Sequence, residues 1–138
     1  MSTTLVVDTS VVFGALDAGD PDHASCSETV SAGATLVLPA PVVVELDWIA
    51  RSRGTLDATS ALVNGLLDGS MLVANLELED YARAIELVEK YADLPLDLVD
   101  ASVVAIAERL EQDTIATLDR RHFSVVRPSH IEAFTLIP

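Results

Sequence analysis

The chain has 138 residues, half of them apolar and 22% charged, which excludes intrinsic disorder and suits one folded domain over residues 1–138. Its 22 acidic residues against 8 basic ones leave a formal charge of −14, so the surface as a whole repels free nucleic acid. No apolar run approaches the roughly 20 residues of a membrane span. The lone Cys26 excludes an internal disulfide and a multi-cysteine metal site, and the opening MSTTLVVDTS lacks the basic start and cleavage site of a secretory leader; the expected location is the cytoplasm.

Along the chain, strand-like and helix-like segments alternate. A β-branched strand is expected over residues 4–7 and a helix over 21–32, with Pro21 in its first turn. A second strand, 35–38, leads to a helix over 41–53 that again opens on a proline, Pro41. Thr55 is placed to cap a helix running to 67, and Gly69 to end it. After a third strand, 71–74, residues 77–91 read as an amphipathic helix. Leu78, Tyr81, Ala82, Ile85 and Val88 form its apolar stripe, and Glu79/Arg83 and Glu86/Lys90 its charged side. A helix over 99–110 and a strand over 114–118 complete the pattern. Strands that are apolar without alternation belong to a parallel sheet covered on both faces. The expectation is a three-layer α/β/α sandwich with a central parallel sheet.

Four acids stand where a surface charge is out of place. Asp8 directly follows strand 4–7 and Asp119 directly follows strand 114–118, so both fall at the strand ends where open parallel sheets bind ligands. A turn or helix cap is the competing reading for either one alone. Glu45 lies between Val42 and Ile49 inside the apolar stripe of its helix, whereas Asp47 lies off that stripe, one turn from Arg51, and suits an outward ion pair. Asp100 is embedded in the apolar segment LVDASVVAIA and is taken as inward; Asp97, beside the Pro95 turn, is taken as the cap of that helix.

If Asp8, Glu45, Asp100 and Asp119 meet at one end of the sheet, their repulsion requires divalent cations. An all-oxygen donor set suits magnesium or manganese rather than zinc. His23, His122 and His130 show no paired ligand spacing and are read as surface residues. No GxSxG, GxxxxGK[ST] or GxGxxG motif appears, which argues against serine hydrolase, P-loop and dinucleotide chemistry.

Taken together, VVDTSVV, PVVVELDWIA, LVDASVVAIAERL and ATLDRRHFSVV resemble the PIN domain, in particular the VapC-type toxins of bacterial toxin–antitoxin pairs, over nearly the whole chain. The resemblance implies a small α/β/α ribonuclease that binds magnesium or manganese through Asp8, Glu45, Asp100 and Asp119, cleaves RNA, is neutralised by a VapB-type antitoxin and forms a homodimer. It places supporting polar groups at Thr9, Ser10 and Thr117, and more loosely at Asp97. Arg120 and Arg121 are then the first candidates for RNA phosphate contacts, and Arg51 and Arg53 a second patch. The apolar helices 42–49 and 62–67 offer surfaces for a second copy.

An alternative reading makes Asp8 the phosphoacceptor of a receiver-like or phosphatase-like protein. Such phosphatases need a second acid two residues on, where this chain has Ser10, and receivers need a lysine after a late strand, whereas the single lysine is Lys90.

Overall fold

The protein is described by a computed structural model over residues 3–138; Met1 and Ser2 of the expected 1–138 unit lie outside the described residues. Five strands, β1 (Thr4–Val7), β2 (Thr35–Pro39), β3 (Met71–Ala74), β4 (Thr114–Ala116) and β5 (Thr135–Ile137), form one sheet in the order β3-β2-β1-β4-β5. Every pairing is parallel. Parallel neighbours need crossover connections, and here the crossovers carry helices. They are α1 (Thr9–Leu16), α2 (His23–Val30), α3 (Ala40–Arg53), α4 (Asp57–Leu67), α5 (Leu78–Lys90), α6 (Leu98–Arg109) and α7 (Arg120–Phe123). The result is the α/β/α arrangement expected from the apolar strands. Among the described residues, no helix is long and apolar enough to cross a membrane.

The core forms where the strands' apolar faces meet the helices. Val6, Val7, Leu38 and Ile115 of the sheet are fully enclosed, as are Val42 and Leu46 of α3, Leu62 of α4 and Val103 and Ile106 of α6. Gly54 (φ +69°) and Gly69 (φ +82°) follow the ends of α3 and α4 in left-handed conformations that a residue with Cβ adopts only under strain.

Some elements differ from the sequence expectation for identifiable reasons. α1, α7 and β5 lie outside the expected set. The α1 sequence, TSVVFGAL, is rich in residues of low helix propensity, and packing decides its state: Val11, Val12 and Phe13 are all buried. β4 stops at Ala116 rather than 118 because the Leu118 amide leaves the ladder to donate to Ser10 Oγ at 2.9 Å. α4 begins at Asp57, and Thr55 contributes its carbonyl to the entry turn rather than a side-chain cap.

The face of α5 is the clearest correction. Leu78, Tyr81 and Ile85, expected to point inward, are 83%, 50% and 49% exposed. The inward face is instead Asp80, Ala84 and Leu87. Two ion pairs to α6 turn the helix this way: Arg109 Nε donates to Asp80 Oδ2 at 3.0 Å, and Arg83 grips Glu108 through Nε at 2.8 Å and Nη2 at 3.0 Å. A buried carboxylate without a partner costs more than the exposure of these three apolar side chains, so the ion pairs set the rotation.

α1 and α2 pack closely against each other. Gly14 makes that approach, and a Cβ there would lie 2.7 Å from Cys26 Sγ. Gly14→Ala is expected to destabilise the protein by about 1–3 kcal/mol through overpacking, and Cys26→Ala to recover part of that loss in the double variant. Urea unfolding of the four proteins in the cycle measures both; additive effects would show that the two residues do not share the constraint.

Candidate active site

The chain order reverses at β1, with β2 and β3 to one side of it and β4 and β5 to the other. A crevice outside the strand ends at such a reversal is where parallel sheets bind ligands. β1 delivers Asp8 there: the Asp8 amide donates to the Ala116 carbonyl at 2.9 Å, so the ladder holds the backbone as far as this residue. Asp8 is also the residue before α1, yet its side chain does not cap that helix. It accepts instead from Thr117 Oγ1 at 2.8 Å and, more weakly, from Ser10 Oγ at 3.4 Å. Both hydroxyls are themselves fixed, Thr117 Oγ1 by the Asp119 amide at 3.0 Å and Ser10 Oγ by the Leu118 amide at 2.9 Å. Successive amides of the turn after β4 therefore aim two hydroxyls at one buried carboxylate. Thr9 is buried beside it, and its Oγ1 has no partner among the described residues.

Asp100 is held by the start of α6. Its amide donates to Asp97 Oδ1 at 2.8 Å, and its own Oδ2 accepts the Asp97 amide at 3.3 Å, a reciprocal cap that fixes both acids. Asp97 is exposed and does not line the cleft. Asp119 caps α7 by accepting the His122 amide at 3.0 Å, while His122 Nδ1–H donates to Asp119 Oδ2 at 2.5 Å. Asp100, Asp119 and His122 each bring a potential ligand atom within 4.8 Å of the others.

A single cleft of about 420 Å3 is lined by Asp8, Glu45, Asp100 and Asp119, with Thr9 and Ser10 beside them. The four acids marked in the sequence thus reach one place from four different elements. Asp47 turns away, pairing with Arg51 at 3.0 Å and accepting from Thr59 Oγ1 at 2.9 Å.

The histidine reading is corrected. All three histidines are half-buried rather than at the surface, with His23 tied to the Gly14 carbonyl and His130 to the Gln112 carbonyl, each at 2.8 Å. His122 belongs to the cluster, and its Nε2 is enclosed without a partner among the described residues. The signal for it was the Asp119-x-x-His122 spacing across a helix start, which a search for paired histidines passes over. The cation of the cleft is also displaced. Arg120 donates to the Pro138 carbonyl at 2.6 Å, Arg121 is exposed, and neither lines the cleft. Arg53 does, with Nη1 3.4 Å from Asp20 Oδ2 and its guanidinium 4.9 Å above the Phe13 ring. Asp20 and Asp22 of the α1–α2 turn complete that wall. Lys90 lies over Tyr91 and outside the cleft, so the phosphoacceptor reading lacks the lysine it needs.

The donor set fits a divalent cation. Among the described residues, no Lys or Arg pairs with Asp8, Glu45 or Asp100. Burial raises the Asp8 carboxyl from 3.8 to about 6, with Glu45 and Asp119 adding to the rise and hydrogen bonds from Thr117 and the Thr9 amide opposing it. Burial and the charges of Asp97 and Asp8 raise Asp100 further, to about 8. At neutral pH an Asp100 so placed holds a proton that a cation would displace, while Asp8 is mostly ionised.

The PIN domain family matches residues 5–127. The chain belongs to the PIN-domain family. Over 97% of its length it is 38% identical to ribonuclease VapC26 of Mycobacterium tuberculosis, all of which is covered. Among solved structures, VapC20 of Mycobacterium tuberculosis, a sarcin–ricin loop cleaving toxin, shares the fold with a TM-score of 0.81 at 18% identity, over 93% of this chain and 98% of that one. VapBC2 of Rickettsia felis, crystallised with a promoter DNA fragment, shares it with a TM-score of 0.68 at 12% identity, over 99% of this chain and all of the other.

The raised acids make the stability of this PIN domain depend on pH. Between the unfolded and folded values the folded state holds protons that the unfolded chain has released. Metal-free stability is therefore fullest below about 3.8 and is lost as pH rises through about 6 for Asp8 and about 8 for Asp100. Asp8 alone accounts for a loss on the order of 3 kcal/mol. In EDTA at pH 7, Asp8→Asn is expected to melt higher than the wild type while losing most of the stabilisation that magnesium confers. Differential scanning fluorimetry reads both effects. A lower melting point together with an intact magnesium shift would make Asp8 a structural cap.

Proposed function

We infer that this PIN domain is a divalent-metal-dependent endoribonuclease toxin. The observation that carries the reading is the convergence of Asp8, Glu45, Asp100 and Asp119 on one cleft in which, among the described residues, no Lys or Arg pairs with these acids. The 38% identity to a ribonuclease supports RNA as the substrate.

In this proposal the four acids hold magnesium or manganese. A bound ion of this kind supplies Lewis-acid charge at the scissile phosphate and lowers the pKa of a bound water. The protein's own groups do the rest. Thr117 and Ser10 keep Asp8 aimed into the cleft, and the Asp97 cap keeps Asp100 at the start of α6. His122 orients Asp119 by donating to it from Nδ1. One of the carboxylates accepts the proton of the attacking water. Arg53, which lines the same cleft, contacts a phosphate there, and Arg121, exposed just beyond Asp119, contacts one further along the strand.

A VapB-type antitoxin belongs to the same proposal, because a basic segment laid in an acidic cleft replaces the cation with an Arg or Lys; VapBC2 is such a pair by name. Two copies are proposed to pair, with the exposed Leu78, Tyr81 and Ile85 of α5 as the apolar surface. The cytoplasm is the proposed location.

Glu45→Gln is expected to lower the cleavage rate at least about 100-fold, and Asp47→Asn to leave most of it, although the two positions are two residues apart on α3. Wild-type cleavage should require magnesium or manganese and leave 5′-phosphate ends. Gel assays with both variants test the assignment; equal loss in the two folded variants, or 2′,3′-cyclic phosphate products in EDTA, would overturn it.

A further inference from the structure

Beside the acidic cleft lies an apolar groove of about 380 Å3, lined by Pro41, Val44, Glu45, Trp48 and Val99. Its α3 members fall at i, i+3, i+4 and i+7, on one side of that helix. Trp48 is 70% exposed and Val44 72%, and among the described residues the Trp48 indole stacks on no other ring and carries no cation. Groove and cleft are continuous: Glu45 lines both, and Val99 directly precedes Asp100.

We propose that this groove binds a nucleobase of the RNA next to the scissile phosphate, stacked on Trp48. The proposal rests on the ribonuclease reading. Glu45 is the one charge in the groove, so it repels a phosphate and leaves the neutral, flat face of a base as the part of RNA that fits. The charge of −14, with Arg53 the one cationic side chain lining the cleft, leaves phosphate contact weak as a source of affinity. Stacking on an aromatic ring needs no charge and is how proteins commonly hold unpaired bases. A base is therefore the better-fitting occupant.

Trp48 is the only tryptophan of the chain, so its emission reports on the groove directly. Stopped-flow mixing of the wild type and magnesium with a short unstructured oligoribonucleotide should quench that emission. The same ribose–phosphate chain without bases should not, and the quench should survive added salt. Trp48→Ala should raise KM about tenfold or more with kcat close to wild type, and Trp48→Phe should restore most of it. Its exposure makes unfolding of either variant unexpected, and melting curves confirm that. RNA that binds by anisotropy without changing Trp48 emission, together with an unchanged KM in Trp48→Ala, would overturn the proposal. So would a Trp48→Ala variant whose RNA kinetics are normal but whose self-association, or binding of a basic antitoxin peptide, is lost. Absence of cleavage by the wild type would refute the catalytic reading, while the emission arm would still decide the groove.

Discussion

Everything in this molecule is arranged around one buried carboxylate that no basic side chain neutralises. Asp8 stands at the end of the central strand, 5% exposed, and is held by hydroxyl groups and its own backbone. In a protein interior such a group either keeps its proton or acquires a cation. Among the described residues no Arg or Lys pairs with it; the cleft adds Glu45, Asp100 and Asp119, and the arginine that lines it, Arg53, lies against Asp20. Packing and polar support explain how the fold tolerates this: β1 lies between two parallel neighbours, and the turn after β4 donates two amides to the hydroxyls that face Asp8. The position before α1 adds the favourable end of a helix dipole.

On the proposed function, the same arrangement reconciles an acidic protein with a polyanionic substrate. Attraction is not distributed over the surface, where 22 acids outnumber 8 bases. In that proposal it is concentrated where cations would replace protons on the clustered acids, with Arg53 lining the same cleft and an apolar groove alongside. A ribonuclease of this design would gain little from non-specific phosphate binding, so its recognition would depend on what enters the cleft and the groove.

Much of this was legible in the amino-acid order because two physical rules are local. Buried parallel strands need unbroken apolar runs, which located β1 to β4, and an acid directly after such a run is conspicuous, which located Asp8 and Asp119. Features set by distant partners were not legible. α1 is helical through its packing, despite a strand-like composition, and β5 is three residues long. The rotation of α5 is decided by Arg109 and Glu108 on another helix, which its own periodicity does not encode. Arg53 enters the cleft and Arg120 turns to the C-terminal carbonyls because of where α3 and β5 end, a matter of topology. His122 was legible in principle through its spacing from Asp119, given a search that pairs His with Asp rather than with His.

The central claim is that protons and cations compete for the same buried acids, and calorimetric titration of divalent cation into metal-free protein tests it most directly. Repeating the titration in buffers of different ionisation enthalpy counts the protons released. With Asp100 raised to about 8 and Asp8 to about 6, binding at pH 7 is expected to release about one proton per chain, and the release to fall towards zero by about pH 9. Binding with no proton release at pH 7, or with a release that does not change up to pH 9, would contradict the account.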